Sequence, residues 1–137
     1  MAEDSSLLPL FELLTNDGFR PRWLDEGPLI FSAFQTEFLL AHDALDPNFL
    51  VVRMWHDLEG LNLEQAARAA NIVNGEVKVA KANLEDGQLA LSAEFLYGEV
   101  SDILHSVTRA ARALDHALHV FHRAFRTTPT TVGQATA

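Results

Sequence analysis

The order in which hydrophobic periodicities follow one another constrains this chain more than any motif in it. A helical stretch gives way to three stretches of strand character, then a second helix, a strand pair and one long helical run, all within 137 residues. Helices set apart from strands that join through short turns point to an α+β domain with an antiparallel sheet. The length suits a single domain, residues 1–126, with enough chain to bury a core.

Residues 7–17 read as the first helix. Asp4, Ser5 and Ser6 are candidate caps, Pro9 is tolerated in a first turn, and Gly18 supplies a left-handed stop. Residues 19–23 are a short strand stretch that Pro21 confines to a sheet edge. Residues 29–34 and 37–42 read as a hairpin around Gln35-Thr36, a turn with neither Gly nor Asn. Residues 43–48 form a loop containing Pro47, and 49–56 is the most strand-like stretch. Asn62 caps a helix running to about Asn74, with Gln65 placed as in a capping box. Residues 76–84 and 88–97 pair across Asp86-Gly87, a strong hairpin signal. Ser101 caps a last helix that reaches Arg126, and residues 127–137, rich in Thr, read as a disordered tail. The expected fold is an antiparallel five-stranded sheet with helices, in the order α-β-β-β-α-β-β-α, the long helix packed on one face.

Strand residues 49–56 are apolar on both faces. Leu50, Val52 and Met54 point one way; Phe49, Val51, Arg53 and Trp55 point the other. Arg53 marks its own side as the outer one, so the first set is assigned to the helix-packed core. Phe49, Val51 and Trp55 then lie partly uncovered beside Leu39 and Ala41 of the preceding strand. A contiguous apolar patch marks an interaction surface, and these five residues are the expected contact of a homodimer, with Trp55 as an anchor. The alternative is that a loop or the first helix folds over this face.

The last helix divides at about 100° per residue. Ile103, Val107, Ala110, Leu114, Ala117, Leu118, Phe121 and Phe125 fall on one side. His105, Arg109, Arg112, His116, His119 and Arg123 fall on the other. Residues 100–126 hold four arginines against two acids, whereas the whole chain has 10 Lys and Arg against 19 Asp and Glu, a net charge of −9. The cationic side is either an ordinary solvated face or a docking face for an acidic partner, built from Arg109, Arg112, His116, His119 and Arg123. The alternative function is a small-ligand or metal sensor using the same His/Arg face. His116 and His119, with Asp115 near, are the pair that could share a metal, but no His-Glu-x-x-His pattern occurs.

Several function classes are argued against. A net charge of −9 opposes nucleic-acid binding, which needs a basic surface. The absence of cysteine rules out disulfides, thiolate chemistry and cysteine-ligated metals. The apolar runs are too short to span a bilayer. The opening Met1-Ala2-Glu3-Asp4 is unlike a signal peptide, so a cytoplasmic protein is the default. No Gly-x-Ser-x-Gly, P-loop or dinucleotide-binding glycine pattern is present. The paired carboxylates (Asp25-Glu26, Asp57 with Glu59, Glu85-Asp86) sit at expected turns. The expectation is a non-enzymatic protein without cofactor or metal, whose partners are itself and an unidentified protein client.

From Asn71 to Leu96 an asparagine-bearing helix end, a Lys-containing strand, the Asp86-Gly87 turn and an apolar-polar strand follow one another. Asp17-Gly18-Phe19 precedes the first strand, and Asp46-Pro47-Asn48-Phe49-Leu50 opens the fourth. This succession resembles the bacterial YbjN family, which is similar in fold to the type III secretion chaperones, over residues 7–125. The Gln35-Thr36 turn departs from the glycine expected there. The resemblance implies the α+β fold, and the secretion chaperones are small, acidic, dimeric and non-enzymatic. The YbjN group has no settled biochemical role to carry over residue by residue.

Overall fold

The computed structural model of the protein describes residues 7–25, 27–43, 45–46, 48–96 and 100–127, the side chains of 100 and 101 excepted. The elements run α1 (Leu8–Asn16), β1 (Arg22–Trp23), β2 (Leu29–Ala33), β3 (Thr36–His42), β4 (Phe49–Asp57), α2 (Leu63–Glu76), β5 (Ala80–Glu85), β6 (Gln88–Leu96) and α3 (Val100–Thr127). The strands form one sheet in the order β1-β2-β3-β4-β6-β5, with every neighbouring pair antiparallel.

The sheet has six strands where five were expected. Six strand stretches are read along the chain, 19–23 among them as an edge, and that edge is β1, two residues pairing Arg22 with Ile30 and Trp23 with Leu29. It is shorter than residues 19–23 suggested. Ser32 still donates to the Phe19 carbonyl at 2.9 Å, but Arg20 turns left-handed at φ 52° and Pro21 has no N–H to give. The ladder is therefore interrupted between Phe19 and Arg22.

Both hairpins turn through two residues with positive φ, the conformation whose twist matches that of the flanking strands. Asp86 (φ 50°) and Gly87 (φ 77°) make the β5–β6 turn where the sequence placed it. The β2–β3 turn is Phe34 (φ 53°) and Gln35 (φ 61°), one residue earlier than Gln35-Thr36. The register Phe31↔Phe38 and Ala33↔Thr36 forces this shift, because it stacks the Phe31 and Phe38 rings at 5.4 Å on the core side. Two unfavourable backbone conformations are accepted so that two phenylalanines remain buried.

All three helices meet the sheet on one face. A continuous cluster joins Leu10 and Leu14 of α1, Ala66, Ala69 and Val73 of α2, and Val107, Leu114, Ala117 and Phe121 of α3 to Leu29, Phe38, Leu50, Val52, Met54 and Leu91 of the strands. Among the described residues none that is polar or charged is buried. The assignment of Leu50, Val52 and Met54 to the core holds, with exposures of 0, 0 and 2 %.

The helix ends show where side chains were reassigned. Leu7 occupies the N-cap of α1 with no side-chain cap; Asp4, Ser5 and Ser6 lie outside the described residues. Gly18 closes α1 at φ 85°, as expected. Asn62 caps α2 by accepting from the Gln65 N–H at 2.8 Å. Gln65 does not complete the capping box, because its Nε2 donates to the Phe125 carbonyl at 2.6 Å, tying the start of α2 to the end of α3. The helix α2 continues through Gly75 to Glu76, so residues 76–79 are not strand. Asn74 does not end it. Its carboxamide accepts from Ala82 N–H at 2.6 Å and donates to Ala82 O at 2.8 Å, occupying backbone groups on the outer edge of β5. The helix α3 begins at Val100, so Ser101 lies inside it, and Thr127 belongs to the helix rather than to a tail. Residues 128–137 lie outside the described residues.

Candidate functional site

The face of the sheet opposite the helices carries the first set of expected site residues. Alternation in β4 and the register to its neighbours build three rows across it. Ile30 meets Leu39, which meets Arg53, which meets Ser92, which meets Lys81. Ala41 meets Val51, which meets Glu94. Trp55 meets Ala90, which meets Asn83. At one end Phe49 lies opposite Leu96.

The five expected contact residues, Leu39, Ala41, Phe49, Val51 and Trp55, therefore share one face. Their exposure is uneven. Trp55 is 39 % exposed, while Leu39, Ala41 and Phe49 are half-buried. Val51 is only 8 % exposed, which corrects the expectation that it lies partly uncovered. Among the described residues no helix packs on this side of it; it sits in a central strand between β3 and β6. The indole N–H of Trp55 donates to Glu85 Oε1 at 3.3 Å, which orients the ring across β6.

Two apolar members of this face were not foreseen. Leu96 is 67 % exposed and Ile30 is half-buried. Alternation would have found Leu96, since it continues the outward series Ser92, Glu94. Arg53 and Lys81 share the face with Glu37, Glu85 and Glu94, so both signs of charge accompany the apolar residues.

The second set lies on α3. His105, Arg109, Arg112, His116, His119 and Arg123 are all exposed and form one stripe over positions 105 to 123 of the 28-residue helix. The opposite side, from Ile103 to Phe125, packs into the core. The stripe is not uniform. Arg123 pairs with Glu76 at 3.0 Å, His119 Nδ1 lies 3.8 Å from Asp115, and the Arg112 guanidinium sits 5.9 Å from the centre of the Phe34 ring. His105 and Arg109 make no ion pair among the described residues.

Beside the stripe, His122 leans toward the sheet. Its ring meets that of His56 edge to face at 4.9 Å. The His122 pKa falls below its ordinary value, first because burial disfavours the imidazolium, then because His56, Arg126 and His119 add like charge. Among the described residues no group of three or more His, Asp or Glu is arranged to hold a metal, so His116, His119 and Asp115 do not converge on one. No helix among the described residues is long and apolar enough to cross a membrane.

No family model matches this chain, and no curated protein matches it in sequence. Solved structures do match in fold. YbjN of E. coli, a candidate transcription regulator, superposes with a TM-score of 0.63 at 11 % identity, over 79 % of this chain and 84 % of that one. An uncharacterized protein from Methanothermobacter thermautotrophicus gives 0.61 at 9 % identity, over 88 % and 99 %. The Yersinia pestis type III secretion chaperone SycH, solved in complex with a stable fragment of YscM2, gives 0.53 at 17 % identity, over 84 % and 98 %. The chain thus has the α+β fold that YbjN and a secretion chaperone share.

Proposed function

We propose that this protein is a non-enzymatic protein-binding module, chaperone-like or regulatory, that works as a homodimer in the cytoplasm. The observation that carries the dimer is the helix-free sheet face, where Leu39, Ala41, Phe49, Trp55 and Leu96 stand clear of any covering element among the described residues. Six strands about 4.8 Å apart, averaging about six residues at about 3.3 Å each, give a face on the order of 600 Å². A standard interface buries about 800 Å² per partner, so this face with its rim is of the right size. Its mixed charges also suit an isologous contact, in which the same patch must be complementary to itself. Within the protomer Lys81 lies 3.9 Å from Glu94 and Arg22 pairs with Glu37 at 3.1 Å, so in a self-complementary contact these pairs would be shared with their copies across the interface.

A binding role is supported by the shared fold, since SycH was solved holding a fragment of another protein. In this reading the client takes the cationic face of α3, from Arg109 to Arg123, which the dimer leaves free on the other side of the sheet.

Light scattering after size exclusion tests the dimer. The wild-type protein is expected at twice the protomer mass at micromolar concentration. Trp55→Glu with Leu96→Glu is expected to give a folded monomer, because both side chains are exposed in the protomer. A wild-type monomer, or a dimer that survives both substitutions, rejects this interface.

A further inference from the structure

The cationic stripe of α3 has a groove at its N-terminal half. It holds about 400 Å³ and lies between α3, the end of β6 and the connection from α2 to β5. Phe95 and Ala113, both half-buried, and the buried Ala110 give it apolar walls. Lys78, His105 and Arg109 line it as well, and among the described residues no acidic side chain does. None of these three makes an ion pair among the described residues, whereas Arg123 and His119 further along the helix do. A groove lined with three basic side chains stands out on a chain of net charge −9.

Val79 completes the lining. It is 65 % exposed and has a φ of 78°. A β-branched residue in the left-handed region is a steric outlier, and such strain persists where the surrounding structure imposes it, often at ligand-binding sites. Here it sets an isopropyl group in solvent beside the groove. Folding gains nothing from that placement, and Asn would take the same backbone conformation more readily.

We propose that this groove binds a segment of a partner protein in which a large apolar side chain is flanked by carboxylates. The apolar side chain enters between Phe95, Val79 and Ala113, and the carboxylates meet Lys78, His105 and Arg109. Charge complementarity selects the partner: three unpaired basic groups around an apolar floor match an acidic segment with an apolar anchor. The proposal rests on the reading of α3 as a client-binding face and places the anchor at one end of it.

The test is fluorescence anisotropy with a labelled short peptide of Asp and Glu carrying a central Leu-Phe pair. A second peptide has Ser-Ser at the centre. The first is expected to bind with an affinity that falls with added salt, and the second about tenfold more weakly. Lys78→Glu with Arg109→Glu should weaken binding by about tenfold or more with an unchanged circular dichroism spectrum. Val79→Asn should weaken binding while raising the melting temperature, a combination that a purely structural role for Val79 does not produce. Equal binding of the two peptides, no binding of the Leu-Phe peptide, or wild-type affinity in the Lys78/Arg109 variant overturns the proposal. If Arg112→Glu with Arg123→Glu removes binding while the Lys78/Arg109 variant keeps it, the client face stands and the groove falls. Displacement of the peptide by submicellar dodecanoate as strongly as by unlabelled peptide would make this a lipid site and also overturn it.

Discussion

The two faces of the sheet are built from the same strands and meet different fates. In β4 the inward residues Leu50, Val52 and Met54 are 0 to 2 % exposed, whereas the outward Trp55 is 39 % exposed and Phe49 and Arg53 are half-buried. The inner face is apolar across its centre, with His42 and His56 toward its ends, and three helices close over it. The outer face is also apolar in places, but Arg53, Glu94, Lys81 and Glu85 break it up. Residues of the same chemical type therefore have two purposes. On one face burial drives folding; on the other, in the proposed dimer, it awaits a second surface.

Substitution at matched positions should give the largest difference. Phe38→Ala, at 0 % exposure and stacked on Phe31, should cost about 3–5 kcal/mol in urea unfolding. Trp55→Ala at low protein concentration should cost under about 1 kcal/mol. Comparable losses at the two sites would show that the outer face belongs to the protomer's own core.

The β5 edge lies between the two faces and depends on one side chain. Asn74→Ala removes both bonds to Ala82 and should cost about 1–3 kcal/mol, since a backbone donor and acceptor lose their partner. Amide exchange at Ala82 should accelerate while exchange in β4 does not. Unchanged protection at Ala82 would show that something else covers this edge.

The smallest effect concerns pH, and it tests whether the inner side stays uncharged. The His122 pKa is lowered in the folded state by burial and by its cationic neighbours, so the unfolded chain binds the proton more readily. Stability is then full above about 6.5 and declines as pH falls from there to the lowered value. His122→Phe, which preserves an aromatic edge toward His56, should flatten that part of the profile. The same slope in the variant would assign it to other groups.

Local patterns were legible where one residue's chemistry decides its own surroundings. Asp86-Gly87 turns where it was expected because both residues tolerate positive φ. Asn62 caps α2 because its short side chain reaches a free N–H. The faces of α3 follow from spacing alone. The groove was not legible, since Lys78, Val79 and Phe95 come from a connection and a strand that approach α3 only in three dimensions.

By itself, then, the sequence determined the element types, the α+β class, the inward and outward sides of β4 and the acidic balance of the chain. These depend on intervals of two to four residues and on composition. The tertiary structure decided the position of the Phe34-Gln35 turn, the placing of β6 between β4 and β5, the diversion of Gln65 to Phe125 and of Asn74 to Ala82, and the left-handed Val79. In each of these a local preference competes with contacts made by residues distant in sequence. The turn yields to the stacking of Phe31 on Phe38, and the two amide side chains go to backbone groups that only the packed helices and sheet bring within reach. A preference worth a fraction of about 1 kcal/mol per residue cannot hold against burial of a whole aromatic side chain, so the long-range packing sets the outcome.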